Sequence, residues 1–107
     1  MSEKQIEVVV FEEIIDIEEY HKRGEHPPKG KKYRFKVDGK PHVVHHEIVT
    51  GKEILEISEH IPAEEYLLSQ VLKGGHREPV KLDQEVDLTA GHVEKFKTLP
   101  KKQNEGA

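Results

Sequence analysis

Cysteine is absent from all 107 residues, so neither a disulfide nor a thiolate nucleophile belongs to this chain. No apolar run approaches the length of a membrane span. The start, Met1-Ser2-Glu3-Lys4, lacks a basic residue cluster followed by an apolar stretch and does not read as a secretory signal. Positive charge is in deficit: 17 Lys and Arg against 21 Asp and Glu leave a net −4, the wrong sign for a main partner that is nucleic acid. Apolar residues make up 34% of the chain, enough for one small core but not for a sizeable water-excluding pocket. There is no glycine-rich phosphate loop, and Ser58 and Ser69 lack the surroundings of a nucleophile elbow. These absences predict one cytoplasmic domain that is not an enzyme, with no catalytic residue, cofactor or metal of its own.

The histidines do not alter that expectation. His42, His45 and His46 are close in sequence, but on a strand His42 and His46 share one face while His45 points to the other. No second pair of ligands at regular spacing completes a coordination shell. An exposed histidine patch is expected.

What is present divides the chain near residue 30. Residues 24–32 combine two glycines, a proline pair and a basic cluster, a composition that resists both helix and central strand and reads as a connector. Before it, residues 6–11 are β-branched and aromatic, hence strand-like. Asp16 can cap a short helix, with Glu19 three residues on and Gly24 to close it. Between Glu7 and Glu19 there are six acidic side chains and no basic one, the pattern of a solvated face. Ile6, Val8 and Val10 share one strand face and Val9 and Phe11 the other, so exposure of both would be costly. Residues 5–11 are therefore expected to pack on this domain or on a neighbouring copy, with self-association as one outcome.

After the connector, Tyr33, Phe35 and Val37 alternate with Arg34 and Lys36, the pattern of a half-buried strand. Asp38-Gly39 is the pair a two-residue type I′ hairpin demands. The return strand is predicted over about Lys40 to Ile48. Thr50-Gly51-Lys52-Glu53 is a capping box opening a helix to about His60, with Ile54, Leu55, Ile57 and Ile61 near one face and Pro62 as its stop. A third strand is predicted at Tyr66–Leu72, ended by a Gly74-Gly75 turn. A short fourth lies near Pro79–Leu82 and a fifth at about Val93–Leu99. The predicted core is Tyr33, Phe35, Val37, Val43, Ile54, Leu55, Leu67, Leu82, Leu88 and Phe96. A hairpin, a crossing helix and three more strands in about 70 residues predict an α+β chain: a β-grasp, ubiquitin-like mixed sheet covered by one principal helix. The expected layout is an N-terminal extension and connector at 1–31, the β-grasp domain at 32–99 and a flexible tail at 100–107.

That tail carries the functional signal. It leaves the last strand through Pro100, runs polar through Gln103, Asn104 and Glu105, and reaches Gly106 with Ala107 after it. Glycine has no side chain to obstruct entry into a narrow channel. A tail of this kind suits a protein whose terminal carboxylate is the reacting group, although frayed polar ends are common.

Strand–Asp-Gly–strand, Thr50-Gly51-Lys52-Glu53-Ile54-Leu55, Tyr66-Leu67-Leu68, Val86-Asp87-Leu88 and Glu94-Lys95-Phe96-Lys97-Thr98-Leu99-Pro100 together resemble the bacterial multiubiquitin family of ubiquitin-like proteins. The ending Gln103-Asn104-Glu105-Gly106 is similar to that family's Gln-Thr-Glu-Gly, and Asp16 to Tyr20 through Pro27 to Gly30 also resembles its lead-in. The resemblance implies a protein modifier encoded beside E1-like, E2-like and peptidase partners. On that implication Gly106 is the adenylated and conjugated residue, the Gly106–Ala107 bond is the peptidase cleavage point, and Gln103, Asn104 and Glu105 are read by the tail's partners. Two features depart from the family: there is one domain rather than an array, and Ala107 follows the glycine. A sulfur carrier using the same glycine as a thiocarboxylate, or a non-covalent β-grasp interaction module, are the alternatives.

Overall fold

The computed structural model describes residues 14–28, 32–90 and 93–101. The chain enters it as a short strand, β1 (Ile14–Asp16), and turns at once into α1 (Ile17–Lys22). Asp16 is the reason for the turn: in an extended conformation, its side chain accepts the backbone N–H of Glu18, one of the orphan donors of the first turn. Residues 14–28, assigned from sequence to the extension, pack onto the sheet. Ile15 and Ile17 are buried in the core, and the buried His21 ring meets the Leu88 carbonyl at 3.0 Å. Glu18 lies between the ammonium groups of Lys22 and Lys36, each 3.4 Å away. The predicted strand at residues 5–11 lies outside the described residues.

Next come β2 (Lys32–Val37) and β3 (Lys40–Val44), joined by Asp38-Gly39 with φ of +52° and +84°. That two-residue turn sets the register: Val37 opposes Lys40, Phe35 opposes His42 and Tyr33 opposes Val44. Val44 is therefore the core residue of β3. Val43, expected inside, is 41% exposed. The predicted return strand is two pieces, because the chain leaves the sheet after Val44 and resumes as β4 (Ile48–Thr50). His45 and His46 sit exposed in that gap rather than on a strand.

The capping box forms as predicted. The Glu53 N–H donates to Thr50 Oγ1 and the Thr50 N–H to Glu53 Oε1, opening α2 (Gly51–Ile57). The helix ends before Pro62, at Ser58, where the chain turns away with Glu59 at a φ of +67°. Ile54 and Leu55 are buried, whereas Ile57 and Ile61, which the helical pattern placed on the same face, are exposed. Gly51 packs so closely that a Cβ there would overlap the Lys81 carbonyl oxygen.

A single 3-10 turn at Ala63–Glu65 leads into β5 (Tyr66–Leu72). The hairpin to β6 (Arg77–Val80) turns through Gly74-Gly75, with φ of +90° and +89°, a conformation that glycine adopts without strain. A strand the sequence had not revealed, β7 (Glu85–Asp87), pairs with β4, and β8 (Val93–Pro100) closes the fold. In the main sheet, β3 holds one edge of β2, while β1 and then β8 share the other in parallel. β5 and β6 follow beyond β8. With α2 packed against β4 and β5, this mixed sheet and its principal helix form a β-grasp α+β fold. Leu68, not the predicted Leu67, is the core residue of its pair, and Leu82 is half-buried against the core. Among the described residues no helix is long and apolar enough to cross a membrane.

Candidate functional site at the root of the tail

The tail is rooted in the middle of the sheet, because β8 has β2 on one side and β5 on the other. Its inner half is fixed by the core. Phe96 is fully buried and meets Phe35 edge-on, with ring centroids 5.4 Å apart and planes at 77°. Its outer half is held by polar contacts on both flanks. The Asp38 N–H donates to the Phe96 carbonyl at 3.0 Å. The Asp38 carboxylate accepts the Thr98 N–H at 2.9 Å and the Thr98 hydroxyl at 2.5 Å. On the other flank, Tyr66 opposes Pro100 and the Lys101 N–H donates to the Glu65 carbonyl at 2.9 Å. The clamp therefore runs to Lys101.

His60 ties the end of α2 into this clamp. Its Nδ1 stands 2.8 Å from Ser58 Oγ and its Nε2 3.1 Å from Thr98 Oγ1, with Asp38 Oδ2 at 3.6 Å. Ser58, His60 and Asp38 bear the residue names of a hydrolytic triad, but the hydroxyl has another use. Ser58 Oγ donates back to the Ile54 carbonyl at 2.8 Å, closing the last turn of α2. Thr98 Oγ1 likewise donates to the Asp38 carboxylate, so the two ring nitrogens lie against hydroxyls that are already bonded elsewhere. This is a brace between helix end, hairpin turn and last strand.

His42 lies on the helix-facing side of β3, half-buried, its ring 6.4 Å from Phe35. Burial holds its imidazole below the ordinary value of 6.5. Glu59 opposes that shift, and His60 and Lys40 add to it. Among the described residues, no group of three or more His, Asp or Glu side chains is placed to hold a metal ion.

The face of the sheet turned away from α2 is open beside the root. Leu67 and Leu99 oppose each other in register, 50% and 61% exposed. Next along the same face stand Lys97, Ser69 and Pro79. Sequence reasoning placed Leu67 inside and left this pair unrecognised. One signal was available: Leu99 is an odd number of strand positions from Phe96, so if Phe96 points inward, Leu99 points outward.

Gln103, Asn104, Glu105, Gly106 and Ala107 lie outside the described residues, beyond the end of the clamp. No curated protein and no solved structure gives a match. The sequence model of multiubiquitin matches residues 33–101, from the first strand of the hairpin to the last clamped residue of the tail root. With the β-grasp topology and a match over more than half its length, this chain belongs to the multiubiquitin family of ubiquitin-like proteins.

Proposed function

We propose that this chain is a protein modifier whose carboxyl terminus is made reactive by partner enzymes. The observation that supports it best is the anchorage of β8: the strand feeding the tail is internal to the sheet, pinned by Asp38 as far as Thr98 on one flank and by β5 and Glu65 as far as Lys101 on the other. A load on the tail is then borne by the whole sheet rather than by a peelable edge. Seven residues from Pro100 to Gly106 extend roughly 20–25 Å, enough to enter a partner's active site while the domain docks outside.

The chemistry follows from the weakness of a carboxylate as an acyl donor. A processing peptidase hydrolyses the Gly106–Ala107 bond. The Gly106 carboxylate oxygen then attacks the α-phosphorus of ATP in an E1-like enzyme, and pyrophosphate leaves. The acyl adenylate passes its acyl group, directly or through an E2-like carrier, to a nucleophile on a target protein, and AMP leaves. In this reading the domain is the substrate and recognition handle of those enzymes and performs no catalysis itself. Gln103, Asn104 and Glu105 are the residues the partners read.

The test is mass spectrometry of the full chain recovered from cells that also express its partner enzymes. An isopeptide or ester adduct ending in Gly106 is the expected result. A thiocarboxylate would replace this reading with a sulfur carrier, and an unmodified chain with a non-covalent module. Removing Ala107 alone should bypass the peptidase, whereas removing Gly106 and Ala107 should abolish ATP-dependent transfer with thermal stability unchanged. Adducts formed without Gly106 would overturn the proposal.

A further inference from the structure

The open face beside the tail root has a definite character. Leu67 and Leu99 form its apolar centre, with Pro79 at the side. A groove of about 370 Å³ continues it along Leu67, Pro79, Lys81 and Lys101. Lys81, Lys97 and Lys101 surround it, and among the described residues none of the three is in an ion pair. In the paired strands the register sets Leu67 against Leu99 and Ser69 between Lys97 and Pro79. An occupant of matching chemistry is apolar at its centre and acidic at its ends.

The chain carries such a segment. Residues 6–13, Ile-Glu-Val-Val-Val-Phe-Glu-Glu, set five apolar side chains among Glu7, Glu12 and Glu13, with no basic residue. We propose that this face receives residues 6–13 of a second copy, so that copies join head to tail.

Reach decides between its own arm and a neighbour's. Ile14 opposes Lys32, while Phe96 opposes Val37 on the same edge of β2. Leu99 therefore lies about eight strand residues beyond the level of Ile14, a distance of about 26 Å. The eight residues from Ile14 back to Ile6 span at most about 26–29 Å when fully extended. Doubling back in its own molecule, the arm brings only Ile6 to Leu99, and Val8, Val10 and Phe11 stop short. A second copy has no such limit. The contact joins two different surfaces, so it is heterologous and propagates unless the rotation closes a ring.

Sedimentation or light scattering of the full chain across a concentration series tests this without reference to tail chemistry. The mass should rise with concentration, and the rise should weaken in high salt, because part of the attraction is between exposed charges. Two full-length variants, Leu67→Asp with Leu99→Asp on the face and Val8→Asp with Val10→Asp on the arm, should each be monomeric alone. Mixed, they should form a one-to-one dimer and stop there, because each retains one half of the contact. If the face variant fails to fold, Lys97→Glu with Lys101→Glu should also lose assembly and regain it when combined with Glu12→Lys and Glu13→Lys. A parent that stays monomeric at every concentration, face variants that assemble as the parent does, or a mixture that gives no dimer would each overturn the proposal.

Discussion

Phe96 and Leu99 stand three residues apart on one strand, and the difference between them is the difference between the two faces of this sheet. Phe96 points toward α2, is shut from water and touches Phe35. Leu99 points the other way and keeps 61% of its surface exposed beside Leu67, itself half-exposed. On the covered face, packing is close enough that Gly51 has no room for a Cβ and His42 loses part of its hydration. On the open face near the tail root, apolar side chains are surrounded by lysines. The covered face supplies stability. The open face presents surface next to the tail, and the same strand serves both because side chains alternate along it.

The largest effect expected from breaking this contrast is at Phe96. Phe96→Ala should cost about 3–5 kcal/mol in a denaturant titration, as loss of a large buried aromatic does. An unchanged midpoint would mean that the covered face is not the stabilising one. Gly51→Ala adds a single methyl group on the same side, against a backbone carbonyl that cannot swing away. A loss of about 1–3 kcal/mol by overpacking is expected from the same titration.

A smaller, pH-dependent effect sharpens the comparison. His42 takes up a proton less readily in the folded chain than in the unfolded one. As the pH falls below its ordinary value of 6.5, the unfolded state gains the proton first, so this group's contribution to stability is full above that value and declines beneath it. Thermal melts should show a shallower acid-side decline for His42→Gln than for the parent. The smallest effect is expected on the open face: Leu99→Ser should change stability by no more than about 0.5 kcal/mol. A larger loss in a monomeric sample would show that Leu99 is not the surface residue its exposure indicates.

Local features of this fold were legible in the sequence because each rests on chemistry within a few residues. Asp38-Gly39 required positive φ, Thr50 and Glu53 cap each other, Asp16 caps α1, and Gly74-Gly75 turns a hairpin. Even the misassigned Val43 was within reach, because a two-residue loop at Asp38-Gly39 places Val44 opposite Tyr33 by counting alone. Leu67 was different. β5 carries Leu67, Leu68, Val71 and Leu72, apolar residues on both faces, so no alternation marks an inner side. Its pairing with β8 marks it, setting Leu67 against Leu99 and Leu68 against Thr98.

The sequence by itself determined the turns, the caps and the principal helix, since those depend on backbone preferences and hydrogen bonds between near neighbours. Tertiary structure alone decided that β1 and β8 share one edge of β2, and that Asp38, His60 and Thr98 meet at the tail root. It also decided that Leu67 and Leu99 form one exposed patch. Those contacts join residues 18 to 60 positions apart. Their partners are chosen by which strands pair and which face the helix covers, and no local preference encodes that choice.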